Sequence, residues 1–313
     1  MFGTVIRRLL SAIPVVLIVA TVVFLLLRMA PGDPARVIAG DMASEEAVAE
    51  IRRDMGLDRS LPAQYLLSMT ALVKGDLGHS IISKDPVTKM IGQRLGPTLS
   101  LATAALLLTV FIAVPLGVLS AWWHKRAIDR VIMASAVLAF SIPAFVVGYL
   151  LILVFSVQLN WLPVQGYAPL ADGLGRYLYH LVLPAITLSL IFVALITRIT
   201  RASMLDTLGE DFIRTARAKG VPERYVLGRH ALRNAAVPIV TIIGVAITTL
   251  ISGVVVTETI FNIPGVGRLI VDAVLARDYP VVQGTILFFS FIYVFVNLAI
   301  DLIYVWLDPR IRY

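Results

Sequence analysis

Two carboxylate side chains lie in or beside long apolar runs of this sequence, where an ionised group is costly. Glu258 lies near one end of the run at 237–260, and Asp301 lies within two turns of one end of the run at 285–307. Acids in such positions either pair with a cation or cap a helix, or they line a path for a substrate or an ion. We favour the structural role for both, and a path or a gate is the alternative for which both are candidates.

The remaining polar residues do not form a catalytic or metal-binding pattern. The sequence contains no phosphate-binding loop, no H-E-x-x-H zinc motif and no G-x-S-x-G elbow. It has no cysteine, and its four histidines lack metal-ligand spacing: His79, His124, His180 and His230. Because a proton-driven pump needs acids deep in its spans, we expect the energy source to lie on another protein.

Six apolar runs are long enough to cross a membrane as helices. The chain is 58% hydrophobic and 15% charged, with a mean hydropathy of +0.88. About 20 apolar residues in a helix cross the hydrocarbon core of a bilayer. The predicted spans are near 9–27, 99–122, 134–157, 181–200, 237–260 and 285–307. The sequence therefore predicts an all-α, polytopic membrane protein with six transmembrane helices.

The distribution of basic residues predicts the orientation of these spans. Fifteen Lys and Arg residues fall in the segments 1–8, 124–130, 198–237 and 308–313, against three in the loops 158–180 and 261–283. The positive-inside rule then places both termini and the loop at 206–237 in the cytoplasm, and the long loop at 28–97 outside. The net charge of +7 is explained by the basic residues that orient the spans in the membrane. We therefore predict no nucleic-acid partner.

The outer loop has the signals of a small helical insertion. Pro31-Gly-Asp-Pro34 predicts a turn after the first span. Ser44 is a candidate cap for a helix that ends at Gly56, and Leu61-Pro62 begins a second helix with proline in its first turn. We expect this insertion to pack on the spans.

Proline and glycine residues inside the spans are candidates for hinges or close contacts. Pro115, Ser141, Pro143 and Gly148 are our candidates for a gate or translocation path, together with the two acids above. The favoured interpretation, however, is that these residues only adjust the shape of the helices.

A polar stretch at 206–238 separates two spans and predicts two short helices joined by a break at Gly220. Acids suit the start of the first helix, a lysine suits its end, and a proline suits the start of the second: Glu210, Asp211, Lys219 and Pro222. Phe212, Ala216 and Lys219 recur at helical spacing and predict one compact surface. Such a surface fits a groove in a partner, or it lies on anionic lipid through its arginines.

The segment Arg214-Thr-Ala-Arg-Ala-Lys-Gly220 resembles the E-A-A-x-x-x-G loop of bacterial ABC-importer permeases. Ala216 and Gly220 match that motif, whereas Arg214 replaces its glutamate and Thr215 replaces its first alanine. Further stretches resemble the B-type permeases of the dipeptide, oligopeptide and nickel branch: Pro31-Gly-Asp-Pro34, Gly75-Asp-Leu-Gly78, Arg201-Ala-Ser-Met-Leu205, Thr257-Glu-Thr-Ile-Phe-Asn-Ile-Pro-Gly-Val-Gly267 and Arg277-Asp-Tyr-Pro280.

The resemblance implies the fold of a type I ABC-importer permease, a bacterial inner-membrane location and several partners. These are a C-type permease as heterodimer partner, two cytoplasmic ATPase subunits that hold ATP and Mg, and a periplasmic or lipoprotein substrate-binding protein. This chain is then expected to bind no cofactor and no metal and to have no enzymatic activity. Its predicted parts are 1–27, with the first span, 28–97, the insertion, and 98–313, the permease core with the coupling loop 201–237.

The resemblance also implies roles for individual residues. Coupling to the ATPases is expected from Glu210, Asp211, Arg214, Thr215, Ala216, Lys219, Gly220, Pro222 and Tyr225. Docking of the binding protein is expected at Asp33, Asp76 and Asp278.

The expected cargo is a dipeptide, an oligopeptide or a related small peptide such as glutathione, moved by alternating access. Nickel, opines and glycans remain alternatives within the family, although nickel usually requires imidazole or similar ligands. An ATP-independent secondary transporter or channel is the alternative from another class. An intramembrane enzyme would need a nucleophile or metal pair that the spans do not show.

Overall fold

The computed structural model describes residues 2–29, 34–39, 43–54 and 56–307. Within them the regular structure is helical, and His79 and Pro86 form an isolated β-bridge. The α-helices are α1 (Phe2–Met29), α2 (Pro34–Ala39), α3 (Glu45–Asp54), α4 (Leu61–Val73), α5 (Val87–Trp122), α6 (Ala127–Ser141), α7 (Ala144–Leu151), α8 (Leu174–Leu208), α9 (Asp211–Ala218), α10 (Glu223–Tyr225), α11 (Ala236–Ile260), α12 (Val266–Leu275) and α13 (Tyr279–Leu307). Two π-helices, Ile152–Gln158 and Val226–Leu232, and a 3-10 turn at Leu170–Asp172 complete the helical segments.

The long apolar helices confirm the prediction of an all-α polytopic membrane protein. Among the described residues, α5, α8, α11 and α13 are each long and apolar enough to cross a membrane. The helices α6 and α7, with the π-helix after them, form an apolar pair bent by 100° at its break, which is either one broken span or a re-entrant loop. The first predicted span falls in α1, whose described apolar part is Ile13–Leu26. The six predicted runs therefore correspond to these elements.

The chain divides into two compact units, and the first contains the insertion. It consists of Met1–Gly96 and Pro264–Leu298. Its buried core is apolar and comes from α5, α12 and α13: Val87, Ile91, Val266, Leu269, Ala273, Val281 and Val282. As predicted, α3 follows Ser44, whose Oγ accepts a hydrogen bond from the backbone N–H of Ala47 at 3.3 Å.

The second unit consists of Pro97–Ile263 and Ala299–Tyr313 and is built around α8. This helix packs against α6, α7 and α11, and thirteen of its residues are buried. The buried cluster includes Leu101, Leu181, Leu188, Phe192, Ile196, Leu250 and Phe261. The predicted division at residues 27 and 97 is a different partition and remains a prediction.

A glycine brings α5 and α8 into backbone contact. A Cβ atom placed on Gly117 would lie 2.5 Å from the Cβ of Thr200 and 2.8 Å from the carbonyl oxygen of Thr197. No residue larger than glycine fits there without separating the helices. Pro115 lies two residues earlier, inside an unbroken α5.

The break between α6 and α7 lies where the sequence has Ser141-Ile-Pro-Ala144. Ile142 is extended, with φ −94° and ψ 126°, because the ring of Pro143 excludes helical geometry from the residue before it. Ser141 is exposed, and its hydroxyl donates to the carbonyl oxygen of Val137 at 2.8 Å. The polypeptide therefore changes direction here without a helical connection.

Candidate coupling site

The helix α9 is short, and both of its ends are specified by sequence. Glu210 adopts the extended conformation of a helix cap, and Asp211 lies in the first turn, where the helix dipole favours an acid. At the other end Gly220 has φ +75°, a conformation that glycine adopts without strain. The N–H groups of Gly220 and Val221 donate to the carbonyls of Arg217 and Ala216, at 3.0 and 3.2 Å. This is a Schellman motif, and it confirms the predicted break.

An ion pair connects the two sides of this break. Arg217 donates from Nη2 to Oε1 of Glu223 at 2.6 Å and from Nε to Oε2 at 3.2 Å. This hydrogen bonding to Glu223 raises the pKa of the Arg217 guanidinium. The bidentate geometry holds α9 and the start of α10 in one relative orientation.

The buried side of α9 contributes to a core of its own. Ile213 is fully buried and Ala216 is 8% exposed. They pack in a cluster with residues from α5, α8, the second π-helix, α11 and the residue that precedes α11: Ala121, Met204, Val226, Leu227, Ala231, Ile239 and Ala235. The helix α9 therefore packs directly on the ends of three long helices.

The opposite side of α9 and α10 presents aromatic and charged side chains to solvent. Phe212 is 43% exposed and Tyr225 is 47% exposed, and the guanidinium of Arg224 lies 5.1 Å from the centre of the Tyr225 ring. We call Phe212, Arg214, Thr215, Lys219 and Tyr225 the coupling face.

Of the nine residues predicted for coupling, eight are exposed and Ala216 is buried. The predicted surface of Phe212, Ala216 and Lys219 is therefore divided: Ala216 supports the coupling face from below. A bulky charge at position 216 would enter the core, so that substitution reports on folding rather than on docking.

A buried polar cluster that the sequence analysis missed lies in the same unit. Asp129, 3% exposed, accepts hydrogen bonds from Ser120 Oγ at 2.6 Å and from the backbone N–H of Lys125 at 2.9 Å. Arg201 on α8 donates to both carboxylate oxygens and also contacts His124 Nδ1 at 3.0 Å. One carboxylate thus joins the end of α5, the start of α6 and α8.

The location of this cluster connects it with the coupling face. Ser120 precedes Ala121, and Arg201 lies three residues before Met204, and both of these apolar residues pack in the core beneath α9. A single acid in the otherwise basic loop 124–130 was the available signal in the sequence. The partner of that acid is 72 residues away, which no local pattern reveals.

Two of the gate candidates, Glu258 and Gly148, are buried. Glu258 is fully buried and accepts a hydrogen bond from Thr98 Oγ1 at 2.6 Å. Gly148 is buried, and a Cβ there would lie 3.2 Å from Thr187. Asp301 is within α13, but its side chain lies outside the described part of the structure. Their role in a path remains a prediction.

The three acids predicted for docking of a binding protein have different environments. Asp278 is 4% exposed, and it accepts hydrogen bonds from Ser80 Oγ and, at 3.2 Å, from the backbone N–H of Ile81. Asp76 is exposed and accepts from the backbone N–H of Gly78 at 2.8 Å. Asp33 lies outside the described residues. The geometry gives Asp278 a structural role in fixing the 80–81 segment, and the docking role remains a prediction.

Among the described residues no group of three or more His, Asp or Glu side chains is arranged to hold a metal.

Comparison with known proteins shows the family to which the chain belongs. Residues 113–313 match the family described as the binding-protein-dependent transport system inner membrane component. Residues 1–102 match the N-terminal family of the same transport systems. The chain belongs to this permease family.

Relatives of this permease match it over its whole length. A probable peptide ABC transporter permease of Sinorhizobium fredii is 47% identical and covers 99% of both chains. A glutathione transport system permease of Escherichia coli is 45% identical over 100% of both chains. A putative peptide transport system permease of Brucella abortus is 44% identical, also over 100% of both.

A solved structure shows that the permease fold is shared. The inward-facing MetNI methionine ABC transporter includes a chain that is 17% identical, with a TM-score of 0.56 over 71% of this permease and 97% of that chain. The expectation of a type I importer fold is confirmed.

Membership fixes several properties of this permease. It is a multi-pass inner-membrane subunit of an ABC importer, and ATP hydrolysis belongs to separate ATPase subunits rather than to this chain. It works with a partner permease, an ATPase and a binding protein.

Proposed function

We propose that this permease carries dipeptides, oligopeptides or a related small peptide such as glutathione into the cell. The observation that carries the proposal is the sequence identity of 44 to 47%, over 99 to 100% of the chain, to relatives named as peptide or glutathione permeases. The likeness to the methionine transporter supports the fold alone and does not bear on cargo.

The proposed assembly pairs this chain with a C-type permease. Two cytoplasmic ATPase subunits, which hold ATP and Mg, bind the coupling faces of the two permeases. A periplasmic or lipoprotein binding protein delivers cargo on the opposite side of the membrane. Lys and Arg residues are more numerous in the two terminal segments and in the segments 124–130 and 198–237 than in the loops 158–180 and 261–283. By the positive-inside rule, this excess supports a cytoplasmic location for the coupling face and for both termini.

The geometry supports a mechanism in which ATP-driven closure of the ATPases displaces α9 and α10. The Arg217–Glu223 pair holds these helices as one piece, and the core beneath Ile213 connects them to α5, α8 and α11. The broken pair α6 and α7 supplies a point at which a span can change its angle. Two arrangements of the spans that differ by a few kcal/mol would then alternate access to the cargo.

Transport by the complete assembly in proteoliposomes tests the proposed cargo. The permease pair, its ATPases and its binding protein are reconstituted, and uptake of labelled dipeptides, tripeptides and glutathione is compared with uptake of nickel, an opine and a short glycan. We expect ATP-dependent uptake of a peptide and its loss when the binding protein is omitted. Uptake of nickel, opine or glycan without peptide uptake would refute the cargo.

The same preparation tests the class of transporter. Uptake that proceeds without ATP, or by this chain alone, would indicate a secondary transporter or channel. Uptake that requires ATP and both permeases is the expected result.

A further inference from the structure

The helix α4 is apolar but too short to span a bilayer. None of its thirteen residues is charged, whereas six of the ten residues of α3 in the same insertion are charged. Apolar helices of about 10 to 14 residues occur in protein cores, or as segments that lie in the membrane interface. The exposure of the side chains distinguishes these two cases.

The apolar side chains of α4 are largely uncovered. Leu66 is 63% exposed, Leu67 48% and Val73 87%, and Leu61 at the start of the helix is 57% exposed. Thr70 on the same side donates its hydroxyl to the carbonyl oxygen of Leu67 at 2.9 Å, so its polar atom is satisfied within the helix. A contiguous surface of this kind requires an apolar neighbour.

Contacts with α1 place α4 at membrane depth. The hydroxyl of Tyr65 is 2.8 Å from the hydroxyl of Thr21, and its ring packs edge-on against Phe24 with centroids 5.4 Å apart. Thr21 lies eight residues before the end of α1, or about 12 Å along a helix axis. The ring of Tyr65 thus reaches below the level at which the apolar part of α1 ends.

Polar contacts of α4 indicate where the apolar region of the membrane ends. Arg28 donates from Nε to Oε1 of Gln64 at 2.8 Å, which places a guanidinium at the end of α1, at the level where we expect lipid phosphate groups. Gln283 in the second turn of α13 donates to Ser68 Oγ at 3.0 Å. The helix is therefore held between the ends of α1 and α13, at the height of the membrane interface.

We propose that α4 lies in the lipid leaflet in which α1 ends, with Leu66, Leu67 and Val73 in contact with phospholipid acyl chains. The occupant is lipid because α4 carries no charge and packs through Tyr65 on the membrane helix α1, whose exposed side chains near this contact include Leu25 and Leu26. Arg28 lies beside it at headgroup height. The insertion is thereby anchored in the bilayer as well as on the spans.

Site-specific fluorescence tests this placement. The chain has no native cysteine, so one cysteine introduced as Leu67→Cys carries a bimane label alone in this subunit. A second variant, Leu66→Cys, serves if the first fails to assemble. The matched control is Glu50→Cys on α3, an exposed position in the same insertion. The full complex, prepared with partner subunits lacking reactive cysteines, is studied in lipid nanodiscs.

Phospholipid with a nitroxide on its acyl chain should quench the label at position 67 or 66 at least about twofold more than at position 50, and iodide should show the reverse order. If the α4 label behaved like the control, the helix would lie in water and the proposal would fail. If neither quencher reached it, a protein partner would cover the surface, and the proposal would again be wrong.

Discussion

Arg201 donates two hydrogen bonds to the carboxylate of Asp129, from Nε at 2.6 Å and from Nη2 at 2.8 Å. The Asp129 side chain is 5% exposed and the Arg201 side chain 23% exposed, so water screens the pair weakly. Since Ser120 and the backbone of Lys125 bind the same carboxylate, removal of its charge affects three helical segments at once.

We predict that Asp129→Asn destabilises the permease by roughly 3 kcal/mol, because loss of one member of a buried pair leaves the other uncompensated. Thermal unfolding of the assembled complex measures this. The control is Asp85→Asn, which removes an exposed pair with Lys89 at 2.8 Å and should change stability by less than about 1 kcal/mol. Equal effects of the two variants would contradict a structural role for the buried pair.

Substitutions of two adjacent residues of α9 distinguish an effect on docking from an effect on folding. Phe212→Ala should leave the stability of the permease nearly unchanged while lowering transport, because Phe212 faces outward at 43% exposure. Ile213→Ala should instead cost about 2 to 5 kcal/mol, because it creates a cavity in the core beneath the coupling face. Unfolding temperature, ATPase affinity and peptide uptake are measured for both. Normal transport by Phe212→Ala would argue against the coupling face.

The break after α9 depends on a backbone conformation rather than on space. A Cβ at Gly220 would meet nothing within 4 Å, but its φ of +75° disfavours any L side chain. Gly220→Ala should therefore destabilise by about 1 kcal/mol. Gly228→Ala is the control, since that position is equally open and has a negative φ, and it should be neutral or slightly stabilising. Similar unfolding temperatures for the two variants would show that the Schellman turn does not limit stability.

The contact at Gly117 depends on space. Gly117→Ala introduces a Cβ at 2.5 Å from Thr200, and we predict a loss of about 1 to 3 kcal/mol as α5 and α8 move apart. Gly92→Ala on the same helix meets nothing within 4 Å and should not destabilise. Denaturation of the two variants side by side tests the difference, and a stable Gly117→Ala would mean that the helices separate without cost.

The spans and the break at Gly220 could be predicted from sequence because each depends on local composition or on a single backbone angle. The face of α9 was predicted less well. Spacing alone allowed Phe212 and Ala216 to share a surface, but tertiary packing selects the stripe of Ile213 and Ala216 for the core. An eight-residue helix is too short for its pattern to distinguish these stripes.

Pairings between residues that are distant in the sequence could not be predicted, for a different reason. Asp129 and Arg201 each suited an exposed loop or helix end when considered alone, and only the packing of α6 on α8 brings them together. Asp278 likewise suited a surface role until the fold placed Ser80 against it. Local patterns indicate which groups are polar, but the partners are determined by topology.

The extended link at Ile142 and Pro143 is a point at which we expect the angle between α6 and α7 to change easily. These two residues belong to neither α6 nor α7, and proline has no N–H to contribute to a helix. Rotation about the backbone of Ile142 leaves in place the hydrogen bonds that the carbonyl oxygen of Pro143 accepts from Val146 and Val147, at 3.0 and 3.3 Å. We expect the link to act as a swivel, which follows a displacement of α8 without storing the energy of the stroke.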